Sequence, residues 1–152
     1  MIDLQQLWLK IKPLVVGLIS PGWTTYTPAL TATTTNPTLG SGSTATGRYT
    51  VRGDTVEAEC YLAFGSGMNA GSGNYLVSLP VTANYFASYQ KVGYGFAFDV
   101  SANVSSVFVA QINNTDTTKA MLVYHGGDVM KNTAPFAWAQ SDQINIVLSY
   151  RI

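Results

Sequence analysis

The chain carries two hydrophobic periods. Near the start, Leu4, Leu7, Ile11, Leu14 and Leu18 recur at alternating steps of three and four residues. That is the a/d seam of a coiled coil, and Gln5, Gln6, Lys10 and Lys12 fall off it. Pro13 removes a backbone donor and crowds the preceding turn. The pattern therefore predicts a helix over about residues 2–12, then a kink or a second short turn, ended by Pro21-Gly22. About two heptads are too few to stand alone in water, so the seam requires a partner. The partner is the chain's own domain, sister chains or a larger assembly. We read residues 1–20 as an oligomerisation or docking helix and residues 21–152 as a separate β domain.

From Trp23 onward the period changes to two. Ile144, Ile146, Leu148, Tyr150 and Ile152 alternate with polar and small residues, which predicts a strand with one buried face. Val56, Ala58, Cys60, Leu62 and Phe64 alternate with Glu57, Glu59 and Tyr61 in the same way. Tyr94, Phe96, Phe98 and Val100 form a third case, with Gly93, Gly95 and Ala97 between them; here too the large residues are expected on the buried side. Further strands are expected over 23–27, 47–52, 75–79, 104–112 and 119–124. Turn signals separate them: Arg52-Gly53-Asp54, Gly71-Ser72-Gly73-Asn74, Asn113-Asn114-Thr115-Asp116 and His125-Gly126-Gly127-Asp128. Many short strands with regular turns imply an antiparallel sandwich or barrel. The Thr-, Ser- and Gly-rich stretch 31–46 reads as a long loop or an irregular edge.

Composition narrows the function. The 152 residues carry eight basic and eight acidic side chains, and charged residues make up 11% against a usual share of about 25%. A net charge of zero argues against a broad electrostatic grip on nucleic acid or anionic lipid, and it leaves little repulsion between copies. No apolar run reaches the length of a membrane-spanning helix, and the first residues lack the pattern of a secretory signal, which points to synthesis in a reducing cytoplasm. One cysteine, Cys60, excludes an internal disulfide framework, and one histidine, His125, excludes any site needing two.

The apparent motifs are weak. Arg52-Gly53-Asp54 matches an integrin-binding tripeptide but sits where a hairpin turn is wanted. The glycines around Gly40 lack the Gly-Lys-Ser/Thr of a phosphate loop. The sequons at Asn103 and Asn113 have no secretory signal to serve. Cys60 lies on an apolar strand face and His125 opens a glycine turn, which makes a poor catalytic pair. Asp99, Asp116, Asp128 and Asp142 lack calcium-loop spacing. No catalytic residue, metal or cofactor is expected. Tyr85, Phe86 and Tyr89 lie close together where strand alternation is weak. They are either a stacking platform for a sugar or part of a subunit contact. Ligand loops are expected at the end away from the helix, with 65–74, 113–118 and 125–131 as candidates.

An ordered set of short pieces carries a resemblance. They are Trp23-Thr24-Thr25-Tyr26-Thr27-Pro28, Asn36-Pro37-Thr38-Leu39-Gly40, Gly47-Arg48-Tyr49 with Gly53-Asp54, and Tyr75-Leu76-Val77-Ser78-Leu79-Pro80. The closing piece runs from Pro135-Phe136-Ala137-Trp138 to Asp142-Gln143-Ile144. Residues 23–152 resemble a family of bacteriophage virion proteins found in minor tail proteins, tail-fibre tips and head-fibre or decoration proteins. Their end is similar to the last strand of trimeric jelly rolls of the complement and tumour-necrosis-factor type. The resemblance implies an antiparallel jelly-roll sandwich, which here follows the short N-terminal α-helix read from the seam. It implies a homotrimer on the capsid or tail surface, made in the bacterial host; the N-terminal helix lies outside the resemblance, and its seam is what we expect to join other virion proteins. It implies no catalytic residues, and the charge and hydropathy given above lead us to expect no nucleic acid and no membrane insertion. A host-surface glycan is a further expected partner in the alternative reading, a receptor-binding tail tip or lectin-like module. A dimer is the alternative assembly, and an enzyme such as a glycan depolymerase is the remote alternative for the function.

Overall fold

Nine strands follow one helix in the computed structural model, which describes residues 3–19 and 22–152. The helix α1 spans Leu4–Ile19. Asp3 caps it: its carbonyl accepts from Leu7 N at 2.9 Å and its carboxylate from Gln5 N at 2.9 Å. The second short turn expected after residue 12 is instead part of the same helix, which runs through Pro13. Proline leaves the carbonyl four residues back without its donor. That residue is Leu9, which is exposed, so water can take the place of the missing bond.

The strands are β1 (Thr24–Tyr26), β2 (Leu30–Ala32), β3 (Thr44–Arg52), β4 (Thr55–Ala63), β5 (Tyr75–Ser78), β6 (Lys91–Asp99), β7 (Val104–Ile112), β8 (Lys119–Val123) and β9 (Gln143–Arg151). They form one antiparallel sheet in the order β1-β3-β4-β9-β6-β7-β8-β5-β2. The sheet curls on itself as a jelly-roll sandwich. Val56 and Leu62 of β4, Ile144, Ile146 and Leu148 of β9, Phe108 and Ile112 of β7, Leu122 of β8, and Tyr75 and Val77 of β5 all enter one core. The predicted inward faces of β4 and β9 are buried as expected, apart from Ile152 at the end.

The stretch 31–46 is more ordered than its composition suggests. The β3–β4 hairpin turns at Gly53-Asp54, with Gly53 at φ +62. Its register then continues past both strands. Ser41 meets Ser66, Thr38 meets Asn69 and Thr35 meets Ser72, until β2 pairs β5 from Ala32–Tyr75 to Leu30–Val77. Every pair is centred on the same turn, so residues 30–77 are one antiparallel ribbon folded across the sandwich. In its middle the chains pair only at every third residue. Glycine permits that approach: a methyl on Gly71, at φ +63, would lie 2.8 Å from Pro37 N. Low complexity hid this pairing, because no side-chain alternation marks it.

The β6 expectation is inverted. Tyr94 and Phe96 face outward and are exposed, whereas Val92, Gly95 and Ala97 are buried. The inner side has no room for rings. A methyl on Gly95 would come within 2.6 Å of the Phe108 ring, and one on Gly93 within 3.0 Å of Leu148 Cδ2. Phe98 is partly buried and Val100 is exposed.

Candidate functional surfaces

The pieces that carried the resemblance pack locally. Arg48 lies over the Trp23 ring at 4.8 Å and binds Glu59 at 2.8 Å. The Tyr26 ring lies on Gly47, where a methyl would be 2.8 Å from its Cζ, and meets Tyr49 edge-on at 6.0 Å. Burial raises the Tyr26 hydroxyl far above the usual tyrosine range, with a further push from Cys60. Cys60 is itself buried on the inner face of β4, and burial lifts its thiol to about 11. At the other end of the sandwich, Trp138 stacks against Phe64, Tyr75 and Phe136, and its indole donates to the Lys131 carbonyl at 3.0 Å. Asp142 is fully buried and accepts from Ala139 N at 2.7 Å and Val100 N at 3.0 Å. Burial raises its carboxyl and these bonds partly offset the shift.

The residues considered for chemistry lie apart or are otherwise engaged. His125 is exposed in a single 3-10 turn after β8. Glu57 and Glu59 each face an arginine of β3, Arg52 at 3.9 Å and Arg48 at 2.8 Å. Asp99 accepts from Ala102 N and Ser101 Oγ, which lowers its carboxyl. Asp116 is held down to about 2 by Thr118, then Lys119. Among the described residues no three His, Cys, Asp or Glu side chains gather as metal ligands, and no helix is long and apolar enough to cross a membrane.

The docking seam is open. Leu4, Leu7 and Ile11 are exposed, as is every described side chain of α1, including Trp8 and Leu9. The β domain therefore does not cover the described part of this helix. The side chains of Leu14 and Leu18 lie outside the described residues.

Tyr85, Phe86 and Tyr89 do not form a single platform. Tyr85 packs against the core, while Phe86 and Tyr89 are exposed, with Tyr89 at φ +61. Phe86 instead borders a groove of about 490 Å³ with Asp54, Asn84, Gln90, Arg151 and Ile152. Arg151 binds Asp54 there, and Gln90 Oε1 accepts from Phe86 N at 2.9 Å. Sequence reading missed Asp54, Asn84, Gln90 and Arg151 as neighbours because the contact joins three segments distant in sequence.

The expected placement of ligand loops also changes. Thr24 pairs Tyr49 and Tyr26 pairs Gly47, so the chain enters β1 from the end of the sheet that bears Gly53-Asp54. The Phe86 groove lies at that same end, and so does 113–118, whose Thr117 carbonyl accepts from Ala83 N. Residues 65–74 are paired into the ribbon. Of the three candidate loops, 125–131 remains toward the other end, beside the start of β5, where Tyr75 N donates to Met130 O. Compared with protein-family models, curated proteins and solved structures, the chain matches none.

Proposed function

We propose that this chain is a non-enzymatic bacteriophage virion protein, a homotrimeric surface fibre or decoration in which α1 gathers the copies and docks them on the particle. The observation that carries the reading is the exposed seam of Leu4, Leu7 and Ile11 ahead of a jelly-roll-like β domain with a core of its own. Such a seam is stable only against another apolar surface. The domain behind it contributes a stiff sheet and few charges, which suits display outside a particle. The test is co-sedimentation with particles lacking the protein. The full chain should attach, and Leu7→Asp with Ile11→Asp should leave a folded domain that does not. Undiminished attachment by that variant overturns the reading.

A second reading, a receptor-binding tip for a host-surface glycan, has one feature in its favour. Phe86 offers an open ring face beside two amides and the Asp54–Arg151 pair, the chemistry that recognises a saccharide. Its position at the end where α1 joins the sheet favours decoration, because a particle bound through α1 would lie on the same side. A glycan array with the wild type and Phe86→Ala separates the two. Binding lost in the variant supports the tip reading, and absence of binding by the wild type supports decoration.

A further inference from the structure

Strand β6 turns its large side chains away from the core. Its inner positions Gly93, Gly95 and Ala97 are small, and its outer positions Tyr94 and Phe96 are 63% and 43% exposed. The register places Tyr94 beside Val147 of β9, and Phe96 beside Val107 of β7. Val147 and Val107 are 45% and 74% exposed. These four side chains form one apolar block on the outer face of β7-β6-β9. A strand whose only cover is its own core places rings inward and small or polar groups outward. This one is built for cover on both faces.

We infer that the outer face of β7-β6-β9 is covered by a second copy of this chain, in the assembly that α1 gathers; the inference rests on that self-association, not on attachment to a particle. Charge supports a copy as the occupant. The block bears no ionised group, and the nearest charges along its rows, Glu59 and Arg48, are paired with each other at 2.8 Å. No oppositely charged partner is called for, and chains of zero net charge do not repel. Continuity supports it too. The helix leads into β1, which belongs to the same run of strands, β1-β3-β4-β9-β6, as the block. Copies held by their helices therefore bring these faces within reach of one another. Area gives the third reason. Three strands about 4.8 Å apart and about 30 Å long offer roughly 400 Å², about half the ~800 Å² per partner of a stable complex. The face needs a second contact on the same partner, and the α1 seam of another copy supplies it.

Sedimentation velocity of the full chain at micromolar concentration tests this. The wild type should run near three times 16.3 kDa. Phe96→Lys with Val107→Lys should stay folded by circular dichroism and dissociate at a concentration at least tenfold higher. Phe86→Lys, at a still more exposed ring away from this face, should assemble as wild type. If the double variant fails to fold, Val107→Cys with a short bis-maleimide gives a second measurement. It should link copies, while the wild type, whose Cys60 is buried, should not. Wild-type assembly by the double variant, or no linkage through Val107→Cys, overturns the inference. Retained assembly with lost particle attachment also overturns it, because the face would then belong to the particle. If Leu7→Asp with Ile11→Asp dissociates and the face variant does not, the inference fails while the virion reading stands.

Discussion

Strands β6 and β9 lie side by side and alternate equally well, yet they point their large residues in opposite directions. In β9, Ile144, Ile146 and Leu148 fill the core and Asn145 and Val147 face out. In β6, Gly95 and Ala97 face the core and Tyr94 and Phe96 face out. The difference is decided by volume already present. Phe108 and Leu148 reach across the inner side of β6 and leave no space for a ring there. Period-two alternation therefore establishes a strand, but its phase depends on neighbours distant in sequence.

Substitutions can break this contrast. The largest effect is expected for Leu148→Ala, which empties a filled inner position and should cost about 2–5 kcal/mol in urea unfolding. Gly95→Ala should cost about 1–3 kcal/mol by the same measurement, since its methyl must displace Phe108 or the β9 backbone. A loss below about 0.5 kcal/mol would mean that the inner side of β6 is not full. Alkaline pH sharpens the contrast through the inner-face groups. The Cys60 thiol is raised from 9.0 to about 11 and the Tyr150 hydroxyl from 10.0 to about 12, both first by burial. The folded chain keeps protons that the unfolded chain releases, so stability falls as pH rises above 9.0. The thiol alone should contribute a loss of about 1 kcal/mol by pH 10, visible as a lower melting temperature than at pH 8. Cys60→Ala should reduce that loss. Smallest of all, Phe96→Ala should change the unfolding free energy of the dissociated chain by less than about 0.5 kcal/mol. A larger loss would place Phe96 in the core.

Eight strands were legible because side-chain alternation or β-branched runs mark them, and β4 and β9 even in their phase. Strand β2 and the ribbon's middle were not, since Thr, Ser and Gly pack by close backbone approach, as at Gly71 against Pro37. The α1 seam was legible from spacing alone, but its length was not, because Pro13 reads locally as a stop while the helix runs on to Ile19. Tyr85, Phe86 and Tyr89 were visible as rings and not as a surface. Tyr85 turns to the core, and Phe86 gains its neighbours from 54, 84, 90 and 151 only once the sheet is formed.

The ribbon over 30–77 also determines where the chain tolerates extra residues. All its pairs share one centre, the exposed turn at Gly53-Asp54. A peptide inserted between those two residues lengthens the tip and leaves every pair in place. One residue added between Thr33 and Ser43, with no counterpart between Phe64 and Asn74, slides β2 one place along β5. It thereby exchanges the inner and outer side chains of that edge. The turn is thus the position at which this protein can carry a foreign segment, and the glycine-rich stretch, despite its plain composition, is the part with no slack.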